Sequence, residues 1–121
     1  MGKTILVIDD DAMNLRMAEF LLTKNDYTVR KADSGQKGIE ILKTEAIDLT
    51  LLDIEMPVMN GIETLERIRA DEEICRNKVA ILTASISDEL REKTDALGAV
   101  GYIKKPFMPA ELQAKMEAVI G

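Results

Sequence analysis

Three acidic residues, one threonine and a lysine pair each stand immediately after a short apolar run in this 121-residue chain. Asp9 and Asp10 follow Ile5-Leu6-Val7-Ile8, and Asp53 follows Leu49-Thr50-Leu51-Leu52. Thr83 follows Val79-Ala80-Ile81-Leu82, and Lys104-Lys105-Pro106 follow Val100-Gly101-Tyr102-Ile103. If the runs are parallel strands of one sheet, these polar ends converge on one edge around a single crevice. Three carboxylates that close repel, and a hard divalent cation relieves the repulsion better than a proton does. Oxygen ligands without His or Cys favour Mg²⁺, with Mn²⁺ as the alternative. Three carboxylates, one ammonium and one divalent cation sum to zero charge, so a carboxylate can serve as nucleophile in a balanced site. That combination points to phosphoryl transfer giving an acyl phosphate. Thr83 is suited to hydrogen-bond a phosphoryl oxygen there, and a lysine to pair with one as a point charge.

Parallel strands require crossovers, and the sequence supplies them. The runs at 5–8, 49–52 and 79–82 are nearly continuous in apolar residues, as strands covered on both faces require. Tyr27–Arg30 and Val100–Ile103 are more mixed and suit the two edges. Between them, Leu15, Ala18 and Leu22 recur at helical spacing, as do Ile62, Leu65 and Ile68, and Leu112, Met116, Val119 and Ile120. Asp11, Ser34 and Ser87 are placed as N-caps, and Pro109 opens the last helix. The helix from about Asp88 to Leu97 has the weakest apolar face, which predicts loose docking. Five β-α units predict a doubly wound α/β three-layer sandwich over residues 1–121, one domain.

Composition removes competing functions. The formal net charge is -6, from 16 Lys and Arg against 22 Asp and Glu, which disfavours direct nucleic-acid binding. With 3% aromatics and no Trp, a base-stacking platform is disfavoured too. The absence of His excludes a His-ligated metal and a Ser-His-Asp triad. A lone Cys75 forms no internal disulfide and fits a reducing cytoplasm. The first residues lack a signal-peptide core and no run approaches membrane-spanning length, so a cytoplasmic protein without membrane contact is expected.

Four motifs in order carry a family resemblance: Ile8-Asp9-Asp10-Asp11, Leu52-Asp53-Ile54-Glu55-Met56-Pro57-Val58-Met59-Asn60-Gly61, Leu82-Thr83-Ala84, and Gly101-Tyr102-Ile103-Lys104-Lys105-Pro106-Phe107. Together they resemble the receiver domain of two-component response regulators, including single-domain chemotaxis regulators, over the whole chain. The resemblance implies a flavodoxin-like sheet of order 2-1-3-4-5. It implies that Asp53 is the phosphoacceptor and that Asp10 binds the metal directly, with Asp9 acting largely through water. Glu55 would offer its backbone carbonyl to the metal. Thr83 and Tyr102 would be the switch hydroxyl and aromatic, and Lys105 the site lysine, preceding a cis bond to Pro106. The implied partners are a histidine kinase or histidine phosphotransfer protein upstream, and an effector on the face of the fourth helix, fifth strand and fifth helix. A phosphorylation-dependent homodimer is compatible with such a face. Such a domain is not an enzyme on other substrates; it catalyses only its own phosphorylation and dephosphorylation.

Other features read as structural. Asp11 is a helix cap and Lys104 a solvated neighbour of Lys105. Gly35-Gln36-Lys37-Gly38 lacks a dinucleotide fingerprint and a preceding buried strand. The seven Met residues read as core or filler, with Met56 and Met59 partly exposed in the loop after Asp53, and Cys75 as incidental. The Glu55 side chain, two residues past the acceptor, stands where it would orient or repel hydrolytic water. Two alternatives remain open: a pseudo-receiver that acts by protein contact without phosphorylation, and a phosphohydrolase of the haloacid-dehalogenase type, in which Glu55 takes the acid/base spacing.

Overall fold

The structure, a computed structural model, describes residues 2–56 and 60–120. Its elements alternate without exception: β1 (Thr4–Ile8), α1 (Ala12–Thr23), β2 (Thr28–Ala32), α2 (Gly35–Thr44), β3 (Leu49–Asp53), α3 (Gly61–Ala70), β4 (Val79–Thr83), α4 (Asp88–Ala96), β5 (Gly101–Lys104) and α5 (Pro109–Ile120). The five strands form one parallel sheet in the order β2-β1-β3-β4-β5, the doubly wound α/β architecture the alternation predicts.

Period-two alternation along the strands divides the core into two layers. Ile5, Val7, Leu49, Leu51, Ala80, Leu82 and Ile103 face α1 and α5, where Ala18, Leu22, Leu112, Met116 and Ile120 meet them. Leu6, Ile8, Leu52, Val79 and Ile81 face the other way, against Ile39 and Leu42 of α2 and Leu65 and Ile68 of α3. β1, β3 and β4 are nearly continuous in apolar residues because both of their faces are covered.

Pairing rather than apolarity sets the ends of the edge strands. β2 begins at Thr28, one residue beyond the expected start, because the Tyr27 amide turns back to Leu22 O while the Thr28 amide bonds to Lys3 O. The helix caps stand where expected: Asp11, Ser34 and Ser87 each accept a first-turn amide. Asn60 adds a capping box with Glu63 at the start of α3. α4 buries only Thr94, which agrees with the weak apolar face of its sequence. Its far end is held instead by Arg69, whose guanidinium donates to Leu97 O, Gly98 O, Cys75 O and Asn77 O.

The methionines divide differently from expectation. Met56 and Met116 are buried, but Met13, Met17 and Met108 are exposed. Met13 and Met17 lie on the outer face of α1, beyond the stripe that Ala18 and Leu22 bury. Met59 and Pro57 lie outside the described residues.

Thr50 is fully buried in the central strand, and its hydroxyl has no hydrogen-bond partner among the described residues. A buried unpaired hydroxyl costs about 1–3 kcal/mol, and valine has nearly the same shape without it. Thr50→Val is therefore expected to stabilise the fold by about 1 kcal/mol, read in urea unfolding as a higher midpoint at unchanged slope.

Candidate functional site

Register brings the site together. Ile8 pairs with Leu52, so Asp9 and Asp53 stand side by side one step further on; Thr83 pairs with Lys104 across the next two strands. The backbone ladder continues past the strand ends, through Asp9 N to Ala32 O at 3.0 Å, Ile54 N to Leu82 O at 3.1 Å, and Lys105 N to Thr83 O at 2.8 Å. These bonds hold the polar residues as rigidly as the strands that precede them. Gly61 lets the start of α3 close on this edge. Its amide bonds to Ile54 O, and a Cβ there would overlap Asp53 O and Ile54 Cα.

Asp9, Asp10 and Asp53 each direct an oxygen to one point, with those atoms within 4.8 Å of one another. Asp9 and Asp53 are buried; Asp10 is exposed. Lys105 Nζ lies 2.9 Å from Asp53 Oδ1 and 3.3 Å from Asp9 Oδ2. Asp53 Oδ1 also accepts the Glu55 amide at 3.1 Å. Asp9 Oδ1 accepts the Asp11 amide at 3.0 Å, and its Oδ2 accepts Asn14 Nδ2 at 3.2 Å. The Lys105-Pro106 bond is cis. Glu55 is exposed and meets the cluster through its backbone amide; Lys104 is exposed, as expected of a solvated neighbour.

Burial is the main influence on Asp53 and pushes its carboxyl up to about 6, with the nearby Asp9 charge adding to it. The hydrogen bonds from Lys105 and from the Glu55 amide, and the Lys105 charge, resist that rise. Burial alone would lower Lys105, but the hydrogen bonds and charges of Asp53 and Asp9 hold its ammonium above the ordinary lysine value. Two buried carboxylates thus share one cation. The three carboxylate oxygens that converge here carry more negative charge than the one ammonium offsets, which suits a small hard divalent cation.

Thr83 and Tyr102 adjoin this cluster without joining it. The Thr83 hydroxyl donates to Ser85 O at 2.8 Å and accepts the Ser85 amide at 3.3 Å, so it is engaged with the β4–α4 loop. Tyr102 Oη donates to Asp95 Oδ1 at 2.6 Å and lies 2.6 Å from Thr94 Oγ1, and the Arg91 guanidinium stacks 5.1 Å from its ring centre. Burial and the Asp95 hydrogen bond both raise the Tyr102 phenol above its ordinary value. β5 and α4 are joined by this contact.

Sequence reasoning had not singled out Asn14, Thr94 or Asp95. Asn14 could have been noticed as the third helical residue after the Asp11 cap, in the turn nearest the acidic pair. Thr94 and Asp95 carry no comparable signal, because only the packing of α4 against β5 brings them to Tyr102.

Comparison with known proteins agrees with this geometry. Residues 5–117 match the family model described as response regulator receiver domain. The chain is 34% identical over 119 residues to the phosphate regulon transcriptional regulatory protein PhoB of Pseudomonas aeruginosa, covering 98% of this chain and 52% of that protein. It spans about half the length of the first curated relatives it matches. Among solved structures, chemotaxis protein CheY4 of Vibrio cholerae superposes with a TM-score of 0.93 at 27% identity, covering 99% of this chain and 100% of that one. The receiver domain of the sensor histidine kinase PA1611 of P. aeruginosa, with a magnesium ion in its active site cleft, gives 0.88 at 30% identity and covers 100% and 99%. With its five-stranded sheet in the order 2-1-3-4-5 and its acidic cluster at the strand ends, the chain belongs to the response regulator receiver domain family of two-component signalling systems.

Proposed function

We propose that this chain is a phosphorylation-activated switch that accepts a phosphoryl group on Asp53 from a histidine kinase or histidine phosphotransfer protein. The observation that carries the reading is the Lys105 ammonium at 2.9 Å from a buried Asp53, beside Asp9 and Asp10. An Asp53 oxygen attacks phosphorus; the new O–P bond forms as the P–N bond of the donor phosphohistidine breaks, and the leaving imidazole nitrogen takes a proton from solvent. Asp10 and Asp53, with Asp9 behind them and the Glu55 carbonyl at the loop, would hold Mg²⁺ or Mn²⁺. The bound cation supplies charge neutralisation at the phosphoryl oxygens. Lys105 pairs with a phosphoryl oxygen as a point charge. The chain acts on its own aspartate only, forming and losing the acyl phosphate.

Phosphorylation adds acceptor oxygens at the mouth of the site, and these compete with Ser85 O for the Thr83 hydroxyl. Once Thr83 turns inward, Tyr102 has space to follow. It must first leave Thr94 and Asp95, a loss of about 1–3 kcal/mol for the charge-assisted bond, offset by burial of its partly exposed ring. The balance is close enough for a local change to tip it, and the affected face is that of α4, β5 and α5, where an effector would bind.

Intact mass after incubation with acetyl phosphate tests the central step. A Mg²⁺-dependent, hydroxylamine-labile adduct is expected on the wild-type chain and none on Asp53→Asn. No wild-type adduct under any metal condition would overturn the reading and leave a pseudo-receiver that works by protein contact.

The switch has its own readout. Thr83→Ala is expected to be phosphorylated to a near-normal extent while the Tyr102 ring resonances stay at their unphosphorylated positions; a wild-type-like shift of those resonances would break the coupling.

Without a cation, the folded protein keeps a proton on Asp53 up to about pH 6, whereas the unfolded chain loses it near the ordinary carboxylate value of about 4. The folded state therefore binds the proton more tightly, and stability falls as pH rises through that window. Asp53→Asn removes the effect. In chelator its stability gain should be near zero at pH 4 and on the order of 2 kcal/mol at pH 7, measured by urea unfolding. A gain independent of pH would contradict the assignment.

A further inference from the structure

We propose that Asn14 is a positioning residue of the phosphoryl-transfer site: its side-chain amide holds Asp9 so that Lys105 is left directed at Asp53. The inference rests on the reading of Asp53 as phosphoacceptor. Asp9 is fully buried, and among the described residues its two oxygens receive three donors. The Asp11 amide takes Oδ1 at 3.0 Å, while Asn14 Nδ2 at 3.2 Å and Lys105 Nζ at 3.3 Å share Oδ2. Only the NH₂ end of an asparagine can face a carboxylate, so the orientation of the Asn14 amide follows from the contact itself.

A single ammonium shared by two buried carboxylates moves toward whichever is less well satisfied by other donors. Among the described residues, Asp53 Oδ1 has the Glu55 amide as its other donor, and Asp9 has the Asp11 amide and Asn14. The extra donor on Asp9 is neutral. It meets the hydrogen-bonding demand of a buried carboxylate without cancelling the negative charge that a divalent cation needs. Lys105 accordingly sits closer to Asp53, at 2.9 Å, than to Asp9, at 3.3 Å. Without Asn14, the ammonium is drawn back to Asp9 and away from the place where a phosphoryl oxygen would need it. Asp11 and Asn14 belong to the cap and first turn of α1, so one short helical segment clamps Asp9 at both oxygens.

The test is Asn14→Ala, made in the wild-type chain and in Asp9→Asn, with two readouts. The first is the initial rate of phosphorylation by acetyl phosphate in saturating Mg²⁺. The second is the ¹⁵N resonance of Lys105 Nζ in the metal-free protein. We expect the substitution to slow phosphorylation about tenfold in the wild-type background and less than about twofold in Asp9→Asn, because Asn14 acts through Asp9. The Lys105 resonance should move in the wild-type background. An equal rate loss in both backgrounds would mark a merely structural role and overturn the proposal, as would an unmoved Lys105 resonance or a wild-type-like rate. Failure of the unsubstituted chain to accept phosphate would strike the reading of Asp53 instead, and the Lys105 resonance would still decide whether Asn14 sets the ammonium.

Discussion

One ammonium stands between two buried carboxylates, and the geometry of the site follows from that shortage of positive charge. Lys105 reaches both Asp9 and Asp53, yet a third carboxylate, Asp10, stands at the same point from the exposed side. Burial pushes Asp53 up to about 6, and Lys105 is held above its usual range by the same two partners. Such a cluster persists in a domain of this size because the cost falls on a rigid edge. Asp53 is the last residue of the buried strand β3, Asp9 and Asp10 directly follow the buried strand β1, and Lys105 directly follows β5. The repulsion among the three carboxylates is what a divalent cation would relieve.

The same edge connects to a far less rigid element. α4 buries one threonine, is held at its far end by Arg69, and meets β5 through the contact of Tyr102 with Thr94, Asp95 and Arg91. Thr83 lies between the two regions, buried, its hydroxyl turned to the β4–α4 loop. A tightly packed site next to a weakly packed helix is a physical basis for a switch. A small change in hydrogen-bonding demand at Asp53 meets an element whose position rests on few contacts.

Much of this was legible in the chain. Apolar runs at 5–8, 49–52 and 79–82 are strands because they can be covered on both sides, and β-α alternation leaves a parallel sheet as the economical arrangement. The polar residue after each run then has to lie at one edge, so Asp9, Asp10, Asp53, Thr83 and Lys105 could be grouped without coordinates. The low apolar content of 88–97 foretold the loose α4. What could not be read were individual side-chain orientations: which lysine partner is nearer, where the Thr83 hydroxyl turns, and that Met13 and Met17 point outward while Met56 is buried.

The sequence by itself determined the element order, the sheet class and the identity of the chemical groups at the strand ends, because periodicity and residue type act locally and β-α connections are short. Only the tertiary structure decided how those groups share their hydrogen bonds. Lys105 on Asp53 and Asp9, and Asp95 on Tyr102, are settled by the register of strands and the docking of helices to within a fraction of an ångström. Hydrogen bonds weaken steeply with distance and angle, whereas a hydrophobic pattern tolerates both. The fold could therefore be read from the chain, while the sharing of one ammonium between two carboxylates could not.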